Sequence, residues 1–427
     1  MEENSKIFLV ENLERKRFSS NDISKNIKFK SFSLIKCKNR IINSISFDIF
    51  KERKNSQKNK LEKIRNPGVD FVRILAMYNI IFNHCLFHGN GFKHFPRYKR
   101  QLSLLKNFTD WHNDAFILLS GIVGYKTNKY SNLLYLWLTV FFYSVGIHKY
   151  ISHFKKEYII NQDLYIEYYP IISRRYWFFT MYFGMYLFLP ILNKGIESIS
   201  KNEFGLAITS IHGIFIFWRN YKSSKVDIFF MHGGCSILWF FIFYLTGAYI
   251  GKYRVVYLGI KKYIFCLTCL FIFLFFSYLF FKSSQNELPL IIGSFKLDIP
   301  IELKQMLNSC NDCPIRVIQS ITICLFFLQI HYNKYIVKVI CFIGPLVFGV
   351  YLLHDNKLIR ENVITHIFDN QPKNVKLISV FNLLLGKALK IFIFCIIIDY
   401  LRHLLFTLLR LKKIFILIEK KLKEKFK

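Results

Sequence analysis

The sequence predicts an all-α integral membrane bundle of about ten transmembrane helices. Three observations carry this. The chain of 427 residues is 53% hydrophobic and holds 47 Phe and 25 Tyr, a richness rare in soluble proteins of this length. The apolar residues come in blocks that approach or exceed the roughly 18 residues of a membrane span. The basic residues, which set a formal net charge of +33, concentrate in two tails and in loops between apolar blocks.

Residues 1–66 form a polar extension rich in Lys, Asn and Ser, a composition that predicts disorder or a loose amphipathic helix. It contains no leading apolar core with a cleavage site, so the first span is expected to act as the targeting signal. The spans follow Pro67 and Gly68 and read near 69–88, 112–126, 131–150, 176–194, 203–219, 235–252, 262–282, 315–332, 335–354 and 378–401. The last segment, 402–427, alternates apolar and basic residues. This is the pattern of a basic amphipathic helix on a cytosolic membrane face. An even number of spans places both basic tails in the cytosol, as the positive-inside rule prefers. Internal repeats and Gly/Pro-broken half-helix pairs of the transporter kind are not found.

The charge argues against nucleic acid as partner. No recognition motif accompanies it, and basic residues at span ends are explained by retention in the cytosol and attraction to anionic lipid. Membrane lipid is the expected partner. Cys266, Cys269, Cys324, Cys341 and Cys395 fall within spans and read as small buried apolar residues. Cys310 and Cys313 form a C-x-x-C in a loop, with no second pair at suitable spacing to complete the four ligands of structural zinc. No metal is expected.

Chemistry concentrates on the first span. Arg73 and His84 stand in the apolar run VDFVRILAMYNIIFNHCLFH, eleven residues apart. Ionisable groups in a span are costly and mark pairing or function. Eleven steps of about 100° bring the two side chains back to within about 20° of one another, about 16 Å apart along the axis. With the N-terminus inside, Arg73 lies toward the cytosol and His84 toward the far side. A guanidinium grips phosphate bidentately, and an imidazole can take a proton from a hydroxyl nucleophile. The bland reading is an Arg paired with Asp70 at i–3 and a hydrogen-bonded bundle histidine. His88, one turn beyond His84, lacks the further ligands a metal pair would need.

These residues sit in a wider pattern. Asp70 and Arg73 make D-x-x-R, and Arg73 and His84 make R-x10-H. FILLSGIVGY supplies a Ser-Gly element at Ser120 and Gly121. RYWFFTMYFGMYLFLPILN opens on Tyr176, Trp177 and Phe178 and finishes on Pro190 and Asn193. SILWFFIFYLTGAYIGKY follows, and GPLVFGVYLLHDN places His354 in a G-x-Y-L-x-H element. In this order the motifs resemble those of the acyltransferase 3 family of multi-pass membrane O-acyltransferases, over roughly residues 67–405. The resemblance implies transfer of an acyl group, most simply acetyl, from a cytosolic acyl-CoA co-substrate to a hydroxyl of a carbohydrate or glycolipid, with no bound cofactor. It implies His84 as the base and Arg73 as the donor's phosphate contact. Ser120, Gly121, Trp177 and His354 are carried over as supporting positions.

Many members carry R-x-x-R shortly after the Ser-Gly element. Here Lys126 and Lys129 stand near that place, offering point charges without bidentate geometry. Arg97 and Arg100 form an R-x-x-R in the loop before the second span, on the other side, and take no such role. Asn113 and Asp114 open the second span, where Asp114 is read as a helix cap or an orienting partner for His84. Arg174 and Arg175 precede the fourth span as interface anchors or acceptor contacts. Asp399 and Arg402 are read as an interfacial ion pair. A transporter or flippase for a glycan or lipid is the alternative that intramembrane charge also fits.

Overall fold

A computed structural model describes residues 66–154, 164–218, 227, 229–254, 257–284, 290–292, 295–297 and 313–425. The predicted extension 1–66 therefore lies outside the described residues except for Asn66. Asn66–Lys427 forms one compact unit.

The unit is a helical bundle. The first helix, α1 (Pro67–Phe87), starts where the sequence says it should. Asn66 accepts from the Gly68 N–H at 2.8 Å, and Pro67 occupies the first helical position, where a missing N–H costs nothing. The chain continues through α2 (Lys99–Thr109), α3 (His112–Gly124) and α4 (Tyr130–Phe154). Next come α5 (Trp177–Leu187), α6 (Leu189–Ser198) and α7 (Lys201–His212). The second half holds α8 (Ile237–Tyr253), α9 (Gly259–Ser284), α10 (Pro314–Gln329), α11 (Lys334–Ile343), α12 (Val347–His354), α13 (Leu377–Leu408) and α14 (Leu411–Lys425).

Among the described residues, five stretches are long and apolar enough to cross a membrane: α1, α4, the apolar part of α9, α11 with α12, and α13. α8 and α10 are shorter apolar helices. The remaining predicted spans are shorter or interrupted. The stretch read as 176–194 breaks at Phe188 because Pro190, at the start of α6, cannot continue the preceding hydrogen-bond ladder. Near 203–219, α7 ends at His212 and gives way to a π-helical turn from Gly213. Pro345 likewise inserts a 3-10 turn between α11 and α12. α13 runs to Leu408, past the expected boundary at 401, so Arg402 lies on the same continuous helix as Asp399. One small antiparallel pair, β1 (Leu290–Ile292) with β2 (Phe295–Leu297), departs from helix.

Two cores organise the bundle. One gathers α3, α5, α8 and α10, and the other gathers α1, α4, α12 and α13. α3 and α8 approach closely. A Cβ at Gly121 would collide with the Tyr244 carbonyl, and one at Gly247 would collide with the Leu118 carbonyl. In lipid, where burial supplies no drive between spans, such small residues let backbones approach and gain dispersion contact. Gly121 of the Ser-Gly element is thus a packing residue. Elsewhere Gly349 of α12 leaves room for the Asp399 carboxylate. That carboxylate is fully buried and binds Arg402 through two parallel contacts of 2.8 and 2.7 Å. It also accepts from the Tyr143 hydroxyl at 2.7 Å. The expected pair forms and is buried within the bundle.

Candidate active site

His84 occupies the last turn of α1, and α12 ends on His354 and Asp355 beside it. The His84 and His354 rings lie 5.1 Å apart, and His84 and His88 meet edge to face at 4.8 Å. His84 Nδ1 faces Asp355 Oδ1 at 3.7 Å and has no hydrogen-bond partner among the described residues. His354 is fully buried. Its Nδ1 lies 2.6 Å from the Val350 carbonyl, which can only accept, so the proton sits on Nδ1. Its Nε2 is then an acceptor, and it too is buried without a partner among the described residues.

Asp355 is held firmly. Arg360 donates to it at 3.1 Å. The next residue, Asn356, accepts from the Leu358 N–H and from Arg175, and donates to the Tyr176 hydroxyl at 2.8 Å. Arg175 is bound in turn to Glu167 at 2.7 Å, and Glu167 accepts from Ser144 at 2.6 Å. Arg175 is therefore a buried strut of the site rather than an interface anchor, whereas Arg174 is exposed. Burial pushes the Asp355 carboxyl up to about 6, against the opposing pull of Arg360 and Arg175.

Asp355, not Asp114, faces His84. Asp114 accepts from the Trp239 indole N–H at 2.8 Å, and so fastens α3 to α8. The sequence could not distinguish these carboxylates, because proximity to His84 is set by how the helices cross. A second network missed by the sequence reading lies next to the histidines. Arg316 of α10, almost wholly buried, binds Asp110 at 2.6 Å, and Lys106 binds the same carboxylate at 2.7 Å. Asn83, adjacent to His84, donates to Asp110 at 3.3 Å and sits 3.1 Å from His112 Nε2. Burial disfavours the charged Asp110 carboxylate, but Arg316 and Lys106 outweigh that and hold it down at about 2. An arginine inside the apolar run of α10 was the available signal.

At the other end of α1, Arg73 contacts Asp70 at 3.3 Å, and Asp70 is buried while Arg73 is partly exposed. The Tyr182 hydroxyl sits against Ser120 and within electrostatic reach of Arg73. Ser120 itself donates back to the Phe116 carbonyl at 2.8 Å. Trp177, at the start of α5, is partly buried against the first core. Because His112 opens α3 beside Asn83, α3 runs antiparallel to α1 and delivers Lys126 and Lys129 at the Arg73 end. Both lysines are exposed. Their segment is shaped by Asn193, which donates to Asn128 at 2.6 Å and accepts from Tyr244 at 2.7 Å, and by Tyr186, which donates to the Lys129 carbonyl.

The arrangement is a paired imidazole and carboxylate at one end of a stripe and cations at the other, in a membrane bundle. A family model described as "Acyltransferase domain" matches residues 66–403. The chain belongs to this acyltransferase family. No curated protein and no solved structure matches it. The match covers every element from α1 to the part of α13 that holds Arg402, and so includes both ends of the stripe in this membrane acyltransferase. No group of three or more His, Cys, Asp or Glu able to hold a metal occurs among the described residues. Of the C-x-x-C, Cys313 is buried and Cys310 lies outside the described residues.

Proposed function

We propose that this acyltransferase moves an acetyl group from acetyl-CoA, entering from the cytosol, to a hydroxyl of a carbohydrate or glycolipid. The observation that carries the reading is the Asp355–His84 pair at the far end of the helix that bears Arg73.

In this reading Asp355 directs the Nδ1 proton of His84 toward itself and leaves Nε2 to receive the acceptor's proton. The 3.7 Å separation shortens to a hydrogen bond when substrate orders the site. The acceptor oxygen attacks the thioester carbonyl as its proton passes to His84. The tetrahedral adduct then collapses, the C–S bond breaks, and the imidazolium returns that proton to the departing thiolate. Asp355 stabilises the imidazolium meanwhile. Arg73 contacts donor phosphate, helped by Lys126 and Lys129. The long 3.3 Å contact to Asp70 holds the guanidinium in place while leaving other N–H donors for phosphate.

The test is labelled acetyl transfer from acetyl-CoA to a glycan or glycolipid fraction by the purified, reconstituted protein. His84→Ala should abolish transfer while the protein remains folded in the membrane. Full activity in that variant, or movement of glycan across the bilayer with no acetylation, would end the proposal.

A further inference from the structure

The C-terminal helix α14 begins three residues after α13 ends. Arg410, in the left-handed conformation, makes the turn between them. A helix that follows a span so closely stays at the membrane boundary. Its one buried residue is Glu419, whose carboxylate accepts from the backbone N–H groups of Tyr130 at 3.3 Å and Ser131 at 2.9 Å. These are among the orphan donors that open α4, so Glu419 caps that helix from a distant part of the chain. Lys423 closes the contact at 2.6 Å.

Leu411 and Phe415 are partly covered, and most of the rest of α14 is exposed. Ile414, Ile418 and Leu422, spaced by four, form an exposed apolar stripe, 40–50% accessible. Lys412, Lys413 and Lys420 project from other faces and are exposed. An apolar stripe flanked by lysines at a bilayer boundary matches hydrocarbon below and anionic head groups around it. The residues that Glu419 grips directly follow Lys129 and lie within five residues of Lys126.

We propose that α14 is a binding element for an anionic phospholipid surface. Its docking on that surface latches the start of α4, and with it the Lys126–Ser131 segment, through Glu419. Any consequence for donor binding rests on the role given above to Lys126 and Lys129. The latch itself does not.

The test is hydrogen exchange, read by mass spectrometry, on the full-length protein in nanodiscs. One set holds phosphatidylcholine alone, and the other a mixture with phosphatidylglycerol. In the anionic discs, the amides of residues 411–425 and 130–133 should exchange at least tenfold more slowly. Glu419→Gln, nearly isosteric, should keep the lipid-dependent protection of 411–425 and lose it at 130–133, with the other spans unchanged as the control for folding. Exchange of 411–425 that ignores lipid charge overturns the proposal. So does protection of 130–133 that survives the substitution. Neither readout needs donor or acceptor, so this proposal and the acetyl-transfer reading fail separately.

Discussion

The chemistry turns on a few side chains whose meaning is set by their neighbours. Of Asp70, Arg73, Asn79, Asn83 and His84 in α1, Asn83 donates to Asp110 and His84 is the one that meets Asp355. Asp355 gives the pair a pH signature. Its carboxyl, lifted to about 6 by burial, must be ionised to hold an imidazolium. Transfer should therefore fall as pH drops through about 6. Asp355→Asn should remove that limb and lower kcat/KM on the order of 100-fold, as loss of an acid–base component does. The effect on folding has the opposite sign. A carboxyl raised above its unfolded value, about 3.9, contributes stability that is full below that value and is lost as pH rises through about 6. Thermal unfolding against pH in wild type and Asp355→Asn would resolve this slope, which should vanish in the variant. The R-x10-H spacing and the presence of His354 were legible in the sequence. The identity of the partner was not, since Asp114 and Asp355 are equally plain as letters and differ only in which helix crossing they face.

The helices were legible where caps and apolar length agree, and less so where proline intervenes. Asn66 with Pro67 fixes the start of α1, and Ser236, accepting from the Trp239 N–H at 3.2 Å, starts α8. Pro190 divides what hydropathy reads as one span, because hydropathy counts apolar residues and is blind to a missing donor. The Ser-Gly element shows how a motif can carry packing as well as chemistry. Gly121 and Gly247 bring α3 and α8 into backbone contact, and α3 is what connects the His84 end to the lysine segment. Gly247→Leu should force these helices apart and cost about 1–3 kcal/mol or more, as overpacking does. A lowered melting temperature in detergent, with acetyl transfer lost in parallel, is the expected outcome. Unchanged stability would mean that the helices do not cross so closely.

At the scale of the molecule, the bundle joins two cores around α1 and sets its polar groups at opposite ends of that helix. The reading in which donor arrives at the Arg73 end requires that end, with the tail helix, to face the cytosol. Tags at both termini should therefore be reachable by an impermeant reagent only after the cytosolic face is opened. Labelling of either tag from the other face in sealed cells would refute this topology.

By itself the sequence determined that this chain is a helical membrane protein, that a cation and an imidazole share one face of its first span, and which family its motifs resemble. Those properties depend on apolar length, on helical pitch and on residue order, all of which are local. Only the tertiary structure decided that Asp355 faces His84, that Arg316 and Lys106 hold Asp110, that Asp399 and Arg402 are buried, and that Glu419 caps α4. Except for the helical turns joining Asp399 to Arg402 and Lys106 to Asp110, each of these brings together groups from separate elements. Such meetings are fixed by where small residues let helices approach and where proline ends them, and no spacing along the chain encodes that directly.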